Sequence, residues 1–129
     1  MTGVQTCALP IFLDDALSLA FLYFTGEGVV QDYLEAFKWM IRAAEQGYAP
    51  AQINLGDLYV VGKGTSLDYV TAYMWYTLGS GGDTRASNRI KSLSRLTTSK
   101  QRIEAQDRAK SWSSFHRNLG TSDEKWELK

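Results

Sequence analysis

The chain has 129 residues, of which 44% are hydrophobic and 22% charged, with one cysteine and one histidine. This is the size and composition of one globular domain, which buries about two-thirds of its unfolded surface without the help of a metal or a disulfide. A single cysteine excludes an internal disulfide framework, and the longest apolar run, Ala16 to Phe24, is too short to span a bilayer.

The charges balance overall but are unevenly distributed. Fourteen Lys and Arg residues oppose fourteen Asp and Glu residues, which argues against a chain that binds polyanions over its whole surface. Up to residue 83 three bases face nine acids, and from residue 84 eleven bases face five acids. This basic block is open to two interpretations, a surface for nucleic acid or anionic lipid and a solvated helix face. The helical spacing of its bases favours the second, so no nucleic-acid partner is expected.

The first eleven residues, MTGVQTCALPI, resemble the translation of a common short-read sequencing adapter. We therefore interpret residues 1–12 as not native and expect the natural sequence to enter near Phe12 or Leu13, with further sequence upstream. The compartment is not predicted, because a leader would lie in that upstream part. The other interpretation of residues 1–12 is a native, irregular N-terminal arm.

Residues 13–48 and 49–83 are two copies of one unit with a period of 36 residues. In each unit, apolar residues at three- and four-residue spacing predict a helix that ends at a Gly-x-Gly loop, and a second helix follows. The residues that recur at this period include Tyr23 and Tyr59, Gly26 and Gly62, Gly28 and Gly64, Asp32 and Asp68, and Trp39 and Trp75.

The recurring polar and aromatic residues have structural explanations. Asp32 and Asp68 are predicted N-caps of the second helices, because a carboxylate at that position accepts hydrogen bonds from the free amides of the first turn. Glu35 lies three residues after Asp32 and is predicted to complete a capping box. Trp39 and Trp75 are expected in the core, where large aromatic side chains bury most apolar surface.

Residues 84–116 predict a third helix pair with a different pattern, which we interpret as a C-terminal cap. Thr98 and Gln101 have the spacing of a capping box at the start of its second helix. Residues 117–129 lack an apolar period and predict a loose polar tail. The two apolar stripes of the pair are Ala86, Ile90, Leu93 and Leu96, and then Gln101, Ala105, Ala109 and Trp112.

The two units resemble the Sel-1-like repeat, a relative of the tetratricopeptide repeat. The segments that carry the resemblance are LAFLYFTGEGV with QDYLEAFKWMIRAAEQGYAPAQ, and LGDLYVVGKG with DYVTAYMWY, over about residues 14–83. Gly79 and Ser80 depart from the Ala-Ala pair that the family prefers. The resemblance implies an all-α solenoid of antiparallel helix pairs that binds other proteins on its concave face. Physical reasoning agrees, since a two-helix unit cannot bury its apolar side alone and must stack.

The resemblance also predicts which side chains line the groove, because the first helix of each tetratricopeptide-like unit faces it. An apolar groove with one acid suits an amphipathic helix or an extended peptide. For Phe21 and Phe24 a second interpretation stays open, namely packing against an upstream repeat or a loop. The six predicted groove residues are Leu17, Phe21 and Phe24 in the first unit and Ile53, Asp57 and Val60 in the second.

No catalytic, metal or cofactor site is predicted. The segment Gly62-Lys63-Gly64-Thr65 lacks the spacing, the preceding strand and the magnesium-binding hydroxyl of a phosphate loop. His116 cannot supply a zinc set alone, has no G-x-S-x-G motif for nucleophilic catalysis beside it, and is expected to be a solvated surface residue. The cap positions of Asp32 and Asp68 account for that pair of carboxylates.

The sequence therefore predicts a non-catalytic adaptor or scaffold that binds a partner protein or peptide. Two alternatives stay open: a regulatory or docking region of an enzyme whose catalytic domain lies upstream, and polyanion binding by the basic C-terminal helices. The first helix is expected to present an uncovered apolar face, so self-association through that helix is also expected.

Overall fold

A computed structural model describes the backbone of residues 13–81 and 84–128 and the side chains of residues 15–81 and 84–116. Residues 1–12, with the adapter-like segment, lie outside the described residues. Within the described ranges the chain forms six helices and no strand, so the all-α prediction is confirmed. The helices are α1 (Leu13–Thr25), α2 (Tyr33–Glu45), α3 (Ala49–Val61), α4 (Tyr69–Gly79), α5 (Arg85–Ser94) and α6 (Ser99–Leu128).

The helices form a solenoid in which the first four stack in chain order. Helix α1 packs on α2, α2 packs on α3, and α3 packs on α4. Helices α5 and α6 both pack on α4. Extensive contacts between neighbouring units are the pattern of a repeat protein, in which each unit is stabilised by the next.

The loop between the two helices of each repeat is closed by the same backbone hydrogen bond. The Asp32 N–H donates to the Tyr23 carbonyl at 2.9 Å, and the Asp68 N–H donates to the Tyr59 carbonyl at 3.0 Å. Both aspartates also accept from amides of the first helical turn through their side chains, so the predicted N-caps are confirmed.

Of the two predicted capping boxes, one is confirmed and one is wrong. The Gln101 N–H donates to Thr98 Oγ1 at 3.1 Å, and the Thr98 N–H donates back to Gln101 Oε1 at 2.8 Å. Glu35 does not make the equivalent bond. Its carboxylate pairs with Lys38 at 3.3 Å, because the Asp32 amide is already bonded across the loop.

Two adjoining clusters of buried side chains form the core. Alanine is the most frequent residue in both, which lets neighbouring helices approach closely and pack densely. The first cluster, from α1 to α4, is Ala16, Ala20, Met40, Ala43, Ala44, Ala51, Leu55, Leu58 and Trp75. The second, from α3 to α6, is Ile53, Ala72, Tyr73, Tyr76, Ala86, Leu93 and Ala105.

The two tryptophans that recur in the repeats, both predicted in the core, have different environments. Trp75 is buried as predicted, with its ring centroid 5.6 Å from that of Trp112 in α6. The prediction of a core position is wrong for Trp39, which is only half-buried and has the Arg42 guanidinium 4.9 Å from its ring centroid. The difference arises because α6 covers Trp75.

Gly79 stands where the Sel-1-like repeat prefers an alanine, and the difference has a steric cause. A Cβ at this position would lie 2.8 Å from Ile53 Cγ1 and 3.3 Å from the Ala49 carbonyl oxygen. Helix α4 therefore approaches α3 too closely for the alanine that the family prefers.

The terminal pair follows the predicted stripes in part. Ala86, Leu93, Ala105 and Ala109 are buried, but Leu96 is 58% exposed because α5 ends at Ser94. The prediction of a loose tail is wrong over residues 117–128, where α6 continues as helix to Leu128, since extending an existing helix costs less than starting one. None of the helices in the described part of the chain is both long and apolar enough to cross a membrane.

Candidate functional site

The three predicted groove residues of α1 have different environments. Phe21 is 46% exposed, whereas Leu17 and Phe24 are half-buried against the first core cluster. The Phe24 ring centroid lies 5.1 Å from that of Tyr33 at the start of α2. Phe24 thus packs on α2 of its own repeat, and Phe21 is the more exposed of the two aromatic residues.

Ile53 does not line a groove. Its side chain is fully buried in the second core cluster with Tyr76, Ala86 and Leu93. Helix α5 packs over this side of the second repeat and covers the position, so the prediction that Ile53 is accessible is wrong.

Asp57 joins three helices through one carboxylate oxygen. Its Oδ1 accepts from the Tyr76 hydroxyl of α4 at 2.5 Å and from Arg89 Nε of α5 at 2.7 Å. The Asp57 and Arg89 side chains are 35% and 36% exposed, so the ion pair lies at the surface although it fastens α5 to the second repeat. The sequence predicted that Asp57 lies in the groove, but it did not predict the contacts of Asp57 with Tyr76 and Arg89. The ion pair could have been found from the sequence, because Asp57 and Arg89 lie on the first helices of two successive helix pairs.

Burial of the ring raises the pKa of Tyr76 well above its usual range, and the hydrogen bond to Asp57 and the negative charge of that carboxylate raise it further. The hydroxyl therefore remains a hydrogen-bond donor to Asp57 above the pH at which an exposed tyrosine ionises. Tyr76 is a structural residue that holds the Asp57 carboxylate at the surface between α3 and α5.

A small apolar pocket, the α3–α5 pocket, lies beside this ion pair and includes Val60. Its volume is about 210 Å³. Leu96, at 58% exposure, is the most accessible of its apolar residues. The lining residues are Val60, Tyr76, Arg89, Ser92, Leu93 and Leu96.

A larger and more open depression, the α6 groove, runs along one side of α6 and reaches α4, with a volume of about 770 Å³. Ile103 and Phe115, which line it, are 58% and 59% exposed. Sequence reasoning missed this surface because both residues lie outside the inward stripe of α6, where they interrupt a polar face. The groove is lined by Met74, Lys100, Ile103, Glu104, Asp107, Arg108, Ser111, Trp112 and Phe115.

Several arginines of the basic block, which begins at residue 84, contact other groups of the same chain. Arg89 pairs with Asp57, Arg108 pairs with Glu104 at 2.5 Å, and Arg102 Nη1 donates to the Ser94 and Thr97 carbonyls between α5 and α6. Such contacts favour the interpretation of the basic block as a structural and solvated face.

Lys63, in the loop that resembles a phosphate loop, fastens one repeat to the other. Its Nζ lies 3.3 Å from the Tyr33 hydroxyl and 4.4 Å from the Tyr33 ring centroid. This cation–π contact joins the loop of the second repeat to α2 of the first, which agrees with the structural interpretation of the loop.

His116 is half-buried and packed, so the expectation of a solvated side chain is wrong. Its ring stacks on Trp112 with centroids 3.7 Å apart, and Nδ1 lies 3.0 Å from the Trp112 carbonyl oxygen. The described residues contain no group of three or more His, Cys, Asp or Glu side chains that could hold a metal ion.

The comparison with protein families identifies the repeats. The family model described as the Sel1 repeat matches residues 16–48 and 49–80, together half of the chain. The chain belongs to the Sel1 repeat family. Sel1 repeats are typically protein-interaction modules, and no curated protein matches this chain.

Two solved structures resemble the Sel1 repeats of this chain. A protective antigen present in uropathogenic Escherichia coli strains and displaying an SLR fold matches with a TM-score of 0.75 and 30% identity. The match covers 78% of this chain and 22% of that protein. A Sel1 repeat protein from Oxalobacter formigenes matches with a TM-score of 0.59 and 38% identity, over 61% of this chain and 33% of that protein. The chain thus spans a minor part of either protein.

Proposed function

We propose that this chain is a non-catalytic interaction module that binds a partner protein or peptide along the face formed by α1, α3 and α5. The observation that carries the proposal is the accessibility of Phe21 and Asp57, which occupy the same position in the two repeats and are 46% and 35% exposed. An aromatic side chain at nearly half exposure is an anchor of the kind found in protein interfaces.

The chemistry of this face fits a peptide or an amphipathic helix. Phe21 supplies apolar surface on α1, the Asp57–Arg89 pair supplies charge between α3 and α5, and the α3–α5 pocket supplies an apolar depression beside it. Apolar anchors with a few polar groups between them are the usual recognition pattern for such ligands.

The experiment is a selection from a peptide display library, followed by affinity measurement on the selected peptides. We expect Phe21→Ser to weaken binding roughly tenfold or more, the usual effect of removing an aromatic anchor. The matched control is Leu34→Ser, since Leu34 is 54% exposed and lies on the side of α2 opposite to the buried Ala36 and Ala43. Both residues are about half-buried, so both variants should lower the melting temperature by a similar amount, and the comparison between them isolates the loss of binding.

A third variant distinguishes binding along α1, α3 and α5 from binding in the α6 groove. Ile103→Ser removes an apolar side chain of the α6 groove and should leave the affinity unchanged. Peptides that lose affinity with Ile103→Ser and keep it with Phe21→Ser would contradict the proposal.

A further inference from the structure

Four side chains of α6 form a single row along the α6 groove, the 103–115 row. Its members are Ile103, Asp107, Ser111 and Phe115, which follow one another at intervals of four residues and therefore lie on one side of the helix. Ile103 and Phe115, at the two ends, are 58% and 59% exposed, and the two polar residues between them are exposed as well. The whole row is therefore accessible to a partner.

The two polar residues of the row are available for hydrogen bonds to a partner. Neither Asp107 nor Ser111 forms a hydrogen bond or an ion pair with another described residue. A carboxylate accepts hydrogen bonds and a hydroxyl donates one, so the two side chains complement each other. The charges beside the row are already balanced, because Arg108 pairs with Glu104 at 2.5 Å. A partner that covers the row therefore leaves that neighbouring pair compensated.

The order of these residues is self-complementary when two copies of α6 run antiparallel. In a two-fold interface, if one residue contacts a second residue across the axis, the reverse contact also forms. An axis at the level of Ala109, the midpoint of the row, places Ile103 against Phe115 of the second copy and Asp107 against Ser111 of the second copy. A parallel arrangement in register would instead place the two Asp107 carboxylates against each other, which is unfavourable.

We propose that the α6 groove binds a second copy of this chain, with the two α6 helices antiparallel about a two-fold axis at Ala109. The contact covers Ile103 and Phe115 of both copies, and removal of their apolar surface from water favours association. Each Asp107 accepts a hydrogen bond from Ser111 of the other copy. The interface is separate from the face of α1, α3 and α5, so the inference does not depend on the proposed function.

The test is sedimentation equilibrium of the full chain. All samples carry Leu22→Glu, because Leu22 is exposed on α1 and association through that helix is a separate expectation. One pair of helices forms a small interface, so we expect a dimer with a Kd on the order of 100 μM. Ile103→Lys alone and Phe115→Glu alone should each raise this Kd about tenfold or more, since each places an unpaired charge against an apolar side chain in both halves of the interface.

An equimolar mixture of the two variants tests the antiparallel pairing itself. The mixed dimer keeps one Ile103–Phe115 contact, and at the other contact the introduced lysine faces the introduced glutamate. The mixture should therefore associate about fivefold or more tightly than either variant alone. The matched control is a mixture of Phe115→Glu with Leu34→Lys. Leu34 is 54% exposed on α2 and lies outside the proposed interface, so its mixture should not recover the heterodimer in this way.

Three results would overturn the inference. The first is a Leu22→Glu chain that stays monomeric at about millimolar concentration. The second is association of Ile103→Lys or Phe115→Glu that is as tight as in the chain without these substitutions. The third is a mixture of the two variants that associates no more tightly than either does alone, because the antiparallel pairing of residues 103 and 115 requires the recovery.

Discussion

Replacing Gly64 or Gly28 by alanine measures how tightly the second repeat sits on the first. The two glycines occupy the same position in the two repeats and have nearly the same backbone conformation, with φ of +77° and +79°. Their surroundings differ. A Cβ at Gly28 would have no atom within 4 Å, whereas a Cβ at Gly64 would collide with the Tyr33 carbonyl oxygen and lie 2.9 Å from Phe37 Cβ.

The two substitutions share one cost and differ in another. An alanine in the left-handed region loses about 1–2 kcal/mol of stability, and this cost applies to both variants. Gly64→Ala adds an overpacking cost of about 1–3 kcal/mol, because the atoms in contact belong to backbone and to a Cβ and cannot rotate away. We therefore expect Gly64→Ala to lower the free energy of unfolding by about 1–3 kcal/mol more than Gly28→Ala does.

Urea unfolding followed by circular dichroism measures both free energies, and the m-value reports whether either variant changes the compactness of the chain. For a chain of this size the difference corresponds to a Tm lower by roughly 4 °C per kcal/mol. Equal losses in the two variants would refute the reasoning, since they would mean that the loop of the second repeat does not rest on α2.

Three further predictions concern the caps, Tyr76 and α1. Asp32→Ala and Asp68→Ala should each cost about 1 kcal/mol in urea unfolding, because each removes an N-cap at the same repeat position. The pKa of Tyr76 is raised in the folded chain, so the unfolded chain loses this proton first as the pH rises. The stability that the protonated Tyr76 hydroxyl contributes is therefore present below the ordinary tyrosine pKa of 10.0 and is lost as the pH rises above it. The Tm should fall above that pH, and Tyr76→Phe should reduce the fall. Because Phe21 and Leu22 are 46% and 38% exposed, sedimentation should show concentration-dependent self-association that Leu22→Glu weakens.

Each of these predictions has a contradicting result. Unequal losses of more than about 2 kcal/mol between the cap variants would show that the two repeats do not share one capping geometry. If Tyr76→Phe lost as much stability at alkaline pH as the parent chain does, ionisation of the Tyr76 hydroxyl would not be the cause of the loss. A single sedimentation coefficient at all concentrations would rule out association through α1.

The sequence predicted the parts of the fold that are repeated and local. The aspartate caps and the Gly-x-Gly loops depend on residues within one unit. Because the same residues recur in both units, the pattern is not a coincidence of spacing. Glu35 shows the limit of this reasoning, because its spacing fits a capping box but the Asp32 amide is already bonded to Tyr23 across the loop.

The candidate site was less predictable, because it depends on contacts between units. Ile53 and Asp57 lie on the predicted helix, but whether they are accessible is decided by where α5 packs, and periodicity within α3 carries no information about that. Arg89 has the spacing of a solvated base, yet it fastens α5 to Asp57. The α6 groove was missed for the same reason, since Ile103 and Phe115 contribute to a depression that forms only when α6 packs on α4.

The most direct test of the interaction face is cross-saturation NMR on the complex of the ²H,¹⁵N-labelled chain with a display-selected peptide. The measurement identifies the residues of the chain that lie against the peptide. We expect the signal loss to fall on Phe21 of α1, on Val60 of α3 and on Leu96 next to α5. Signal loss restricted to Ile103 and Phe115 of the α6 groove would contradict the proposal that these Sel1 repeats bind their partner along α1, α3 and α5.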